Sequence, residues 1–252
     1  MRFLLISDMH GNLEALSKAL EFIEPEKIDK VICLGDIVGY MTNPNECVSL
    51  VKNYDCIMGN HDYAIFNDEE LALFNEYAYK ALLWTKEHLN ENSKIFLKSL
   101  PLTRKYEMFT ICHGSIINPQ RFDYIEFDSQ IKENLQAVDT SLLFVGHSHV
   151  PVIAGMSKKY LPYGNYSFWH LKKSVPEWNT EFALHKECRY LINIGSVGQP
   201  RDGISKGCCV IFDSEKYTLK FLRFEYDMDK TIQKMIECNM PEILFKRLTV
   251  GR

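Results

Sequence analysis

Asp8 and His10 stand two positions apart, directly after the apolar run 3–6. Such a run predicts a short buried strand, and Gly11 predicts a turn at its end. Side chains two apart on an extended chain point the same way, so we expect the carboxylate and the imidazole to converge. Together they suit a divalent metal ion. The alternative is an ordinary turn with a surface histidine, and the rest of the chain has to decide between the two.

Four further apolar runs end in the same way, in glycine and polar residues. The polar blocks are Gly35-Asp36, Gly59-Asn60-His61-Asp62, His113-Gly114 and Gly146-His147-Ser148-His149. Five of the eight histidines lie in such blocks, which random surface positions would not produce. In open α/β sheets, ligands bind beyond the carboxyl ends of the strands. The pattern therefore predicts one shared site.

The candidate metal ligands are two carboxylates, one amide and four imidazoles. They are Asp8, His10, Asp36, Asn60, His113, His147 and His149. Seven ligands exceed the needs of one ion and suit two divalent ions about 3.5–4 Å apart, with Asp36 as the bridge. Nitrogen and oxygen ligands without thiolates favour manganese, iron, cobalt, nickel or zinc over calcium or magnesium alone, and we expect manganese first.

Two such ions indicate phosphoester chemistry. They would neutralise phosphate oxygens, lower the pKa of a bridging water and align it opposite the leaving group. An imidazole can protonate that leaving group, and His61 is available because the ligand set is complete without it. We assign catalytic roles to His61 and to Asp62, which would orient His61 or a backbone amide; a plain turn role for Asp62 is the alternative.

The surrounding elements follow from hydrophobic spacing. Three strand–turn–helix units within residues 1–62 predict an α/β fold with a partly parallel sheet. Asn12 is the expected cap of the first helix, and Asn43 that of the second, where Pro44 takes the first helical position. Residues 68–92 predict one helix or a broken pair. We expect hairpins or an elaborated loop over 155–187.

Composition and charge narrow the class of protein. The chain has 252 residues, 46% of them hydrophobic, and a formal net charge of -4. There is no strong basic field for long nucleic acid, no secretory signal and no apolar run long enough for a membrane span. We expect a cytoplasmic protein whose partner is a small phosphorylated molecule, with homo-oligomerisation left open. The eight cysteines form no Cys-x-x-Cys pair, and we expect free, buried thiols.

The five polar blocks, in this order, resemble the calcineurin-like metallophosphoesterases, and segment 195–201 resembles their small bacterial and archaeal phosphodiesterase-like branch. The likeness runs from residue 1 to about residue 213. It implies a four-layer α/β/β/α sandwich with two central mixed β-sheets. It also implies that one metal is held by Asp8, His10, Asp36 and His149, and the other by Asp36, Asn60, His113 and His147. His61 would face the leaving group.

One departure from the family pattern bears on the substrate. Protein phosphatases and symmetrical dinucleoside tetraphosphate hydrolases of this family carry an arginine where this chain has Tyr40, which argues against both activities. Arg201 is the candidate replacement, because a guanidinium can bind phosphate in bidentate fashion. A structural ion pair with Asp202 or another acid is the alternative. The candidate substrate-binding residues are Asn60, His61 and Arg201.

We therefore expect a single domain over residues 1–252, with a helical cap-like segment at about 63–100. The expected activity is hydrolysis of phosphodiesters, nucleotides or dinucleoside polyphosphates. Phosphomonoesters or phosphoproteins are alternative substrates, and a catalytically silent metal-binding scaffold is a further alternative. Aromatic residues at 74–84 and 160–169 could flank a nucleotide base. For Tyr77, Tyr79 and Trp84, packing against the core is the competing interpretation.

Overall fold

A computed structural model describes residues 1–160 and 167–252, with side chains described up to residue 157 and from residue 170. Within these residues, twelve strands form two sheets. The strands are β1 Arg2–Ile6, β2 Lys30–Cys33, β3 Asp55–Cys56, β4 Thr103–Lys105, β5 Phe109–Cys112, β6 Leu142–Val145, β7 Val152–Tyr160, β8 Ser167–Ser174, β9 Glu181–Ala183, β10 Arg189–Asn193, β11 Gly207–Asp213 and β12 Thr218–Phe224.

Both sheets are mixed and six-stranded. The first has the order β3-β2-β1-β11-β12-β9, and the second has the order β4-β5-β6-β10-β7-β8. Strands β1, β2 and β3 run parallel in the first sheet, as β5, β6 and β10 do in the second. All six carboxyl ends are followed by candidate site residues, so parallel pairing gives the polar blocks a common direction.

Nine α-helices flank the sheets in the described part of the chain. They are α1 Leu13–Leu20, α2 Pro44–Val51, α3 Asn60–Ala64, α4 Asp68–Leu71, α5 Glu76–His88, α6 Glu91–Lys98, α7 Asp128–Ala137, α8 Met228–Glu237 and α9 Glu242–Val250. A short 3₁₀ helix covers Pro119–Arg121.

The core is divided into layers, as the alternation of buried side chains requires. Between the sheets, Phe3, Phe109, Phe144 and Phe212 pack ring against ring. The opposite face of the first sheet packs on α1 and α2, and that of the second sheet packs on α7. The predicted four-layer α/β/β/α sandwich with two mixed sheets is confirmed.

Two predicted helix caps have different outcomes. Asn12 caps α1, because its side chain accepts a hydrogen bond from the Ala15 N–H at 3.1 Å. Asn43 precedes α2 but does not cap it with its side chain, which instead accepts a hydrogen bond from Lys234 at 2.7 Å. Asn43 thus takes the predicted cap position of α2 but makes no capping hydrogen bond, because its side-chain oxygen accepts from Lys234 of the distant α8.

The aromatic residues of segment 68–92 lie on α5, after a break at 72–75. Tyr77 and Tyr79 are exposed, so core packing was a wrong prediction for both. Trp84 is half-buried and stacks on His88 with ring centroids 3.9 Å apart. Phe74, in the break, is the aromatic residue that reaches the site. The other predicted aromatic segment, 160–169, includes residues outside the described part of the chain.

All eight cysteines are free, and six of them are buried, as predicted. Burial raises the pKa of Cys112, which precedes a candidate ligand, to about 12. An un-ionised thiol is a poor nucleophile and a poor ligand, so this cysteine contributes packing. In the described ranges, no helix is both long and apolar enough to cross a membrane.

Candidate metal centre and active site

The candidate ligands lie in loops at the carboxyl ends of five strands. Loops after β1 and β2 carry Asp8, His10 and Asp36, Asn60 begins α3 just after β3, and loops after β5 and β6 carry His113, His147 and His149. The first set belongs to one sheet and the second set to the other. The site therefore lies where the edges of the two sheets meet.

The backbone at these loops is unusual. Asp8, His10, Asp36, His147 and His149 all have φ between 52° and 65°, the left-handed region that side chains rarely adopt. Each such residue costs about 1 kcal/mol, and the conformation persists only where surrounding bonds impose it. The side chains of Asp8 and His10 therefore converge because both residues have left-handed backbone angles. The sequence had predicted an extended chain, in which side chains two positions apart point the same way.

Backbone hydrogen bonds impose this conformation by joining the β1 loop to the β2 loop. The N–H groups of Asp8 and His10 donate to the carbonyls of Gly35 and Asp36, at 3.0 and 2.9 Å. The backbone of Gly59 lies against the Asp36 side chain, and a Cβ at this position would lie 2.1 Å from Asp36 Oδ1. A residue with a side chain would therefore not fit there. The loops thus hold the polar side chains in place before any ligand binds.

Six of the seven candidate ligands form two groups that share Asp36. One group comprises Asp8, His10, Asp36 and His149, and the other comprises Asp36, His113 and His147. Within each group, the ligand atoms all lie within 4.8 Å of one another. Asn60 adjoins the second group, with its Oδ1 3.2 Å from His113 Nε2.

Asp36 meets both groups through one oxygen. Asp36 Oδ2 lies 3.6 Å from His10 Nε2 and 3.3 Å from His113 Nε2. Its other oxygen, Oδ1, accepts a hydrogen bond from the His61 backbone N–H at 2.9 Å. The sequence suggested one carboxylate oxygen for each ion, whereas the structure points a single oxygen between the two groups.

Hydrogen bonds to backbone carbonyls orient two of the histidine rings so that their Nε2 atoms face the cluster. His113 Nδ1 lies 2.7 Å from the Leu34 carbonyl, and His149 Nδ1 bonds the Gln199 carbonyl. A carbonyl only accepts, so both Nδ1 atoms carry hydrogen and both Nε2 lone pairs face the cluster.

The donor set fits divalent metal ions. Asp8 Oδ1 is buried and has no hydrogen-bond partner among the described residues, although His149 Nε2 lies 3.1 Å from it. Two facing atoms that both offer lone pairs repel each other unless a cation or a proton lies between them. Burying two carboxylates without lysine or arginine partners is costly, and bound cations would offset that cost.

The electrostatics of the cluster agree with this arrangement. Burial alone would raise the pKa of Asp36, but the charges of His113 and His61 hold it well below its usual range. Burial lowers the pKa of His113, yet the charge of Asp36 and a hydrogen bond to it raise that pKa to about 9 overall. The negative charge of Asp36 thus favours positive charge at this point of the cluster, as a metal site requires.

His61 lies beside the two groups and is buried. Its ring packs against His10, Tyr40 and Phe74, with centroids 4.5 to 4.8 Å apart. Its Nδ1 has no hydrogen-bond partner within the described residues. Burial lowers the pKa of His61 to about 4, because desolvation and nearby positive charges outweigh the charge of Asp36.

Asp62 is fully buried beneath the site. One of its oxygens accepts from the N–H groups of Ile37 and Val38, at 3.0 and 3.1 Å, and the other accepts from Gly59 at 3.0 Å. Of the two contacts considered from the sequence, the structure shows those to backbone amides. Asp62 therefore joins the loop that carries Asp36 to the turn that carries Asn60 and His61.

Arg201 reaches the site from the loop after β10. Its guanidinium donates to Gln199 Oε1 at 2.8 Å and to the Tyr40 hydroxyl at 3.2 Å, and lies over the Tyr40 ring. The alternative ion pair with Asp202 is absent, because Asp202 pairs with Arg223. Arg201 thus lies next to Tyr40, the residue found where protein phosphatases of the resembled family carry an arginine.

A cavity of about 440 Å³ opens above the two groups. Asp36, Asn60, His61, His147, His149 and Arg201 line it, as do several residues that the sequence did not single out. These further residues include Tyr40, Phe74, Arg121, Phe122, Tyr124 and Arg247. Tyr124 stacks on His147 with ring centroids 3.9 Å apart. No spacing pattern marks these residues, because helices and loops bring them to the cavity from distant parts of the chain.

Comparison with known proteins agrees with the fold and identifies the family. Residues 1–216 match the calcineurin-like phosphoesterase superfamily domain. An uncharacterised protein from Methanocaldococcus jannaschii is 40% identical over 255 residues, covering 98% of this chain and 97% of that one.

Two solved structures share the whole fold. A metallophosphoesterase from Sphaerobacter thermophilus has a TM-score of 0.84 and 34% identity, covering 100% of this chain and 99% of the other. A hypothetical protein from Pyrococcus horikoshii OT3 has a TM-score of 0.77 and 23% identity, covering 100% and 98%.

The chain belongs to the calcineurin-like phosphoesterase superfamily. It is a metal-dependent phosphoesterase of a family whose members use two metal ions. The resemblance inferred from the five polar blocks is confirmed.

Proposed function

We propose that this chain hydrolyses small phosphodiesters or nucleotide-like phosphoesters, with two divalent metal ions in the centre described above. The observation that carries the proposal is the sharing of Asp36 Oδ2 between two groups of ligand atoms. One ion would be held by Asp8, His10, Asp36 and His149, and the other by Asp36, Asn60, His113 and His147. Manganese is the favoured metal, with iron, nickel, cobalt or zinc as alternatives.

When bound, the two ions would supply Lewis acidity at the phosphoryl group and lower the pKa of a water molecule between them. The chain's residues position the substrate. Arg201 faces the same cavity and carries a fixed positive charge, with neutral partners in Gln199 and Tyr40. A half-buried guanidinium without a carboxylate partner suits a phosphoryl oxygen, so Arg201 would grip the group that is cleaved.

His61 would donate a proton to the leaving oxygen. Burial lowers the pKa of its ring, which disfavours the protonated form. An anionic phosphoryl group beside the ring would raise that pKa, so binding of the substrate favours the protonated, donating form. Asp62 would act as a positioning residue, since its contacts are to backbone amides of the loops that carry Asp36 and His61.

A cytoplasmic location fits the thiol chemistry. Eight free cysteines in one chain are typical of a reducing compartment.

The proposal is tested by a substrate panel with defined metals. Metal-free protein is loaded with manganese, iron, nickel, cobalt or zinc, then assayed on phosphodiesters, nucleotides, dinucleoside polyphosphates, phosphomonoesters and a phosphopeptide. We expect the highest kcat/KM on a diester or nucleotide, with manganese. Preference for the phosphopeptide would overturn the substrate class, and no hydrolysis with any metal would overturn the proposed activity.

A further inference from the structure

Three arginines line the cavity, and they differ in their partners. Arg121 pairs with Asp123 at 3.3 Å and is largely exposed. Arg201 and Arg247 are half-buried, and in the described part of the chain neither pairs with an Asp or Glu side chain. Asp36, Glu70 and Asp123 also line the cavity, but two half-buried guanidinium groups that face it and pair with none of these carboxylates indicate a site for an anion.

Arg247 comes from α9, outside residues 1–216 that match the family domain. Its Nε donates to the backbone oxygen of Arg252 at 2.8 Å. This bond holds one edge of the guanidinium, and the Arg247 residue lines the cavity. The position of Arg247 therefore depends on how the last helix is attached.

Two contacts attach α9 beside the site. Leu244 and Leu248 are buried in an apolar cluster that includes Tyr40, whose hydroxyl holds Arg201. At the end of the helix, the Gly251 carbonyl accepts a hydrogen bond from the Gly203 N–H at 2.9 Å, next to the loop that carries Arg201. The packing thus fixes both arginines relative to each other.

The positive charges of Arg201 and Arg247 repel each other. Burial and the charge of Arg201 lower the pKa of Arg247, although a guanidinium stays protonated at any ordinary pH. A single phosphoryl group already faces the metal centre and Arg201. A second anionic group in the cavity would relieve the remaining repulsion, and Arg247 offers the fork geometry that phosphate oxygens match.

We propose that Arg247 is a specificity-determining residue that binds a second phosphoryl group of the substrate. The substrate would then be a phosphoester that carries an additional phosphate, and not a simple monoester or diester. This inference rests on the proposed function, because it places the cleaved phosphoryl group at the metal centre and Arg201.

Two substrates that differ only in the added phosphate test the inference. Thymidine 5′-(4-nitrophenyl phosphate) and its 3′-phosphorylated form share the scissile bond and the leaving group. With manganese-loaded wild-type chain, we expect kcat/KM to be about tenfold higher for the 3′-phosphorylated form, mainly through a lower KM. Equal values, or a preference for the form without the 3′-phosphate, would overturn the inference.

A matched pair of variants assigns the preference to Arg247. Arg247→Met should abolish the tenfold preference, so that the two substrates have the same kcat/KM in this variant. Lys246→Met removes the same charge from the same helix, but Lys246 pairs with Glu242 on the surface, so the preference should persist. If Arg247→Met kept the preference, or Lys246→Met lost it, the assignment to Arg247 would be wrong.

The outcomes separate this inference from the proposed function. Hydrolysis of both substrates at equal rates leaves the phosphoesterase proposal standing and removes the role of Arg247. Hydrolysis of neither substrate by the wild-type chain contradicts the phosphodiesterase proposal itself. The wild-type comparison needs no variant, so it decides the inference even if Arg247→Met fails to fold.

Discussion

The metal centre and the cavity above it are built in different ways. Asp8, His10, Asp36, His113 and His149 are almost completely buried and are held by short loops that follow strands. The cavity wall is more exposed and comes from helix ends and connecting segments. We infer that the proposed chemistry depends on the buried strand ends, and substrate selection on the more exposed segments assembled around them.

Asp36→Asn should have the largest effect, because it removes the charge shared by the two groups. We expect kcat to fall by about 10³-fold or more, and bound metal to fall below two ions per chain. Metal analysis and steady-state kinetics provide the measurement. Asp55→Asn is the control, since Asp55 pairs with Lys30 away from the site at 2.6 Å. Two retained ions with normal kcat would remove Asp36 from the centre.

His61→Ala should separate metal binding from proton donation. We expect two ions to remain, with kcat down about 10²–10³-fold for esters with poor leaving groups and much less for 4-nitrophenyl esters. The control is His88→Ala, an exposed histidine stacked on Trp84. Equal losses for good and poor leaving groups would contradict the proton-donor role.

Arg201→Ala should weaken substrate binding in the cavity and leave metal binding unchanged. We expect KM for phosphoesters to rise about tenfold with the metal content unchanged, because a bidentate contact to the substrate is lost. Arg104→Ala serves as control, since Arg104 adjoins Asp55 at 3.4 Å, outside the cavity. A lower melting temperature with unaltered KM would show instead that Arg201 is structural.

Tyr124→Phe should have the smallest effect. The ring still stacks on His147, and only the hydroxyl in the cavity is lost. We expect a change of about twofold in KM and none in metal content. Loss of metal in this variant would mean that the cavity wall and the centre are one structural unit, which would remove the distinction drawn above.

The sequence placed the candidate metal ligands at one point of the fold, but it did not single out most residues of the cavity wall. A buried strand followed by glycine and a polar residue is a local pattern, so Asp36 and His113 could be placed at strand ends without the fold. The left-handed backbone at Asp8 and His10 could not be predicted from the sequence, because it is imposed by hydrogen bonds to the loop after β2. The ligands converge as expected, but for another reason.

Residues of the cavity lack such a local pattern. Arg247 reaches it only because α9 packs on a cluster that includes Tyr40 and because Gly203 and Gly251 bond across 48 positions of sequence. Tyr124 lies in an irregular segment and stacks on His147. These placements depend on contacts between distant elements, which hydrophobic spacing does not encode. The missing capping hydrogen bond of Asn43 has the same cause, because Lys234 from the distant α8 binds the side-chain oxygen.

Anomalous scattering from crystals grown with manganese tests the central claim most directly. We expect two peaks per chain about 3.5–4 Å apart. One should lie among Asp8, His10, Asp36 and His149, and the other among Asp36, Asn60, His113 and His147. A single peak, or peaks that do not share Asp36, would contradict the dinuclear centre.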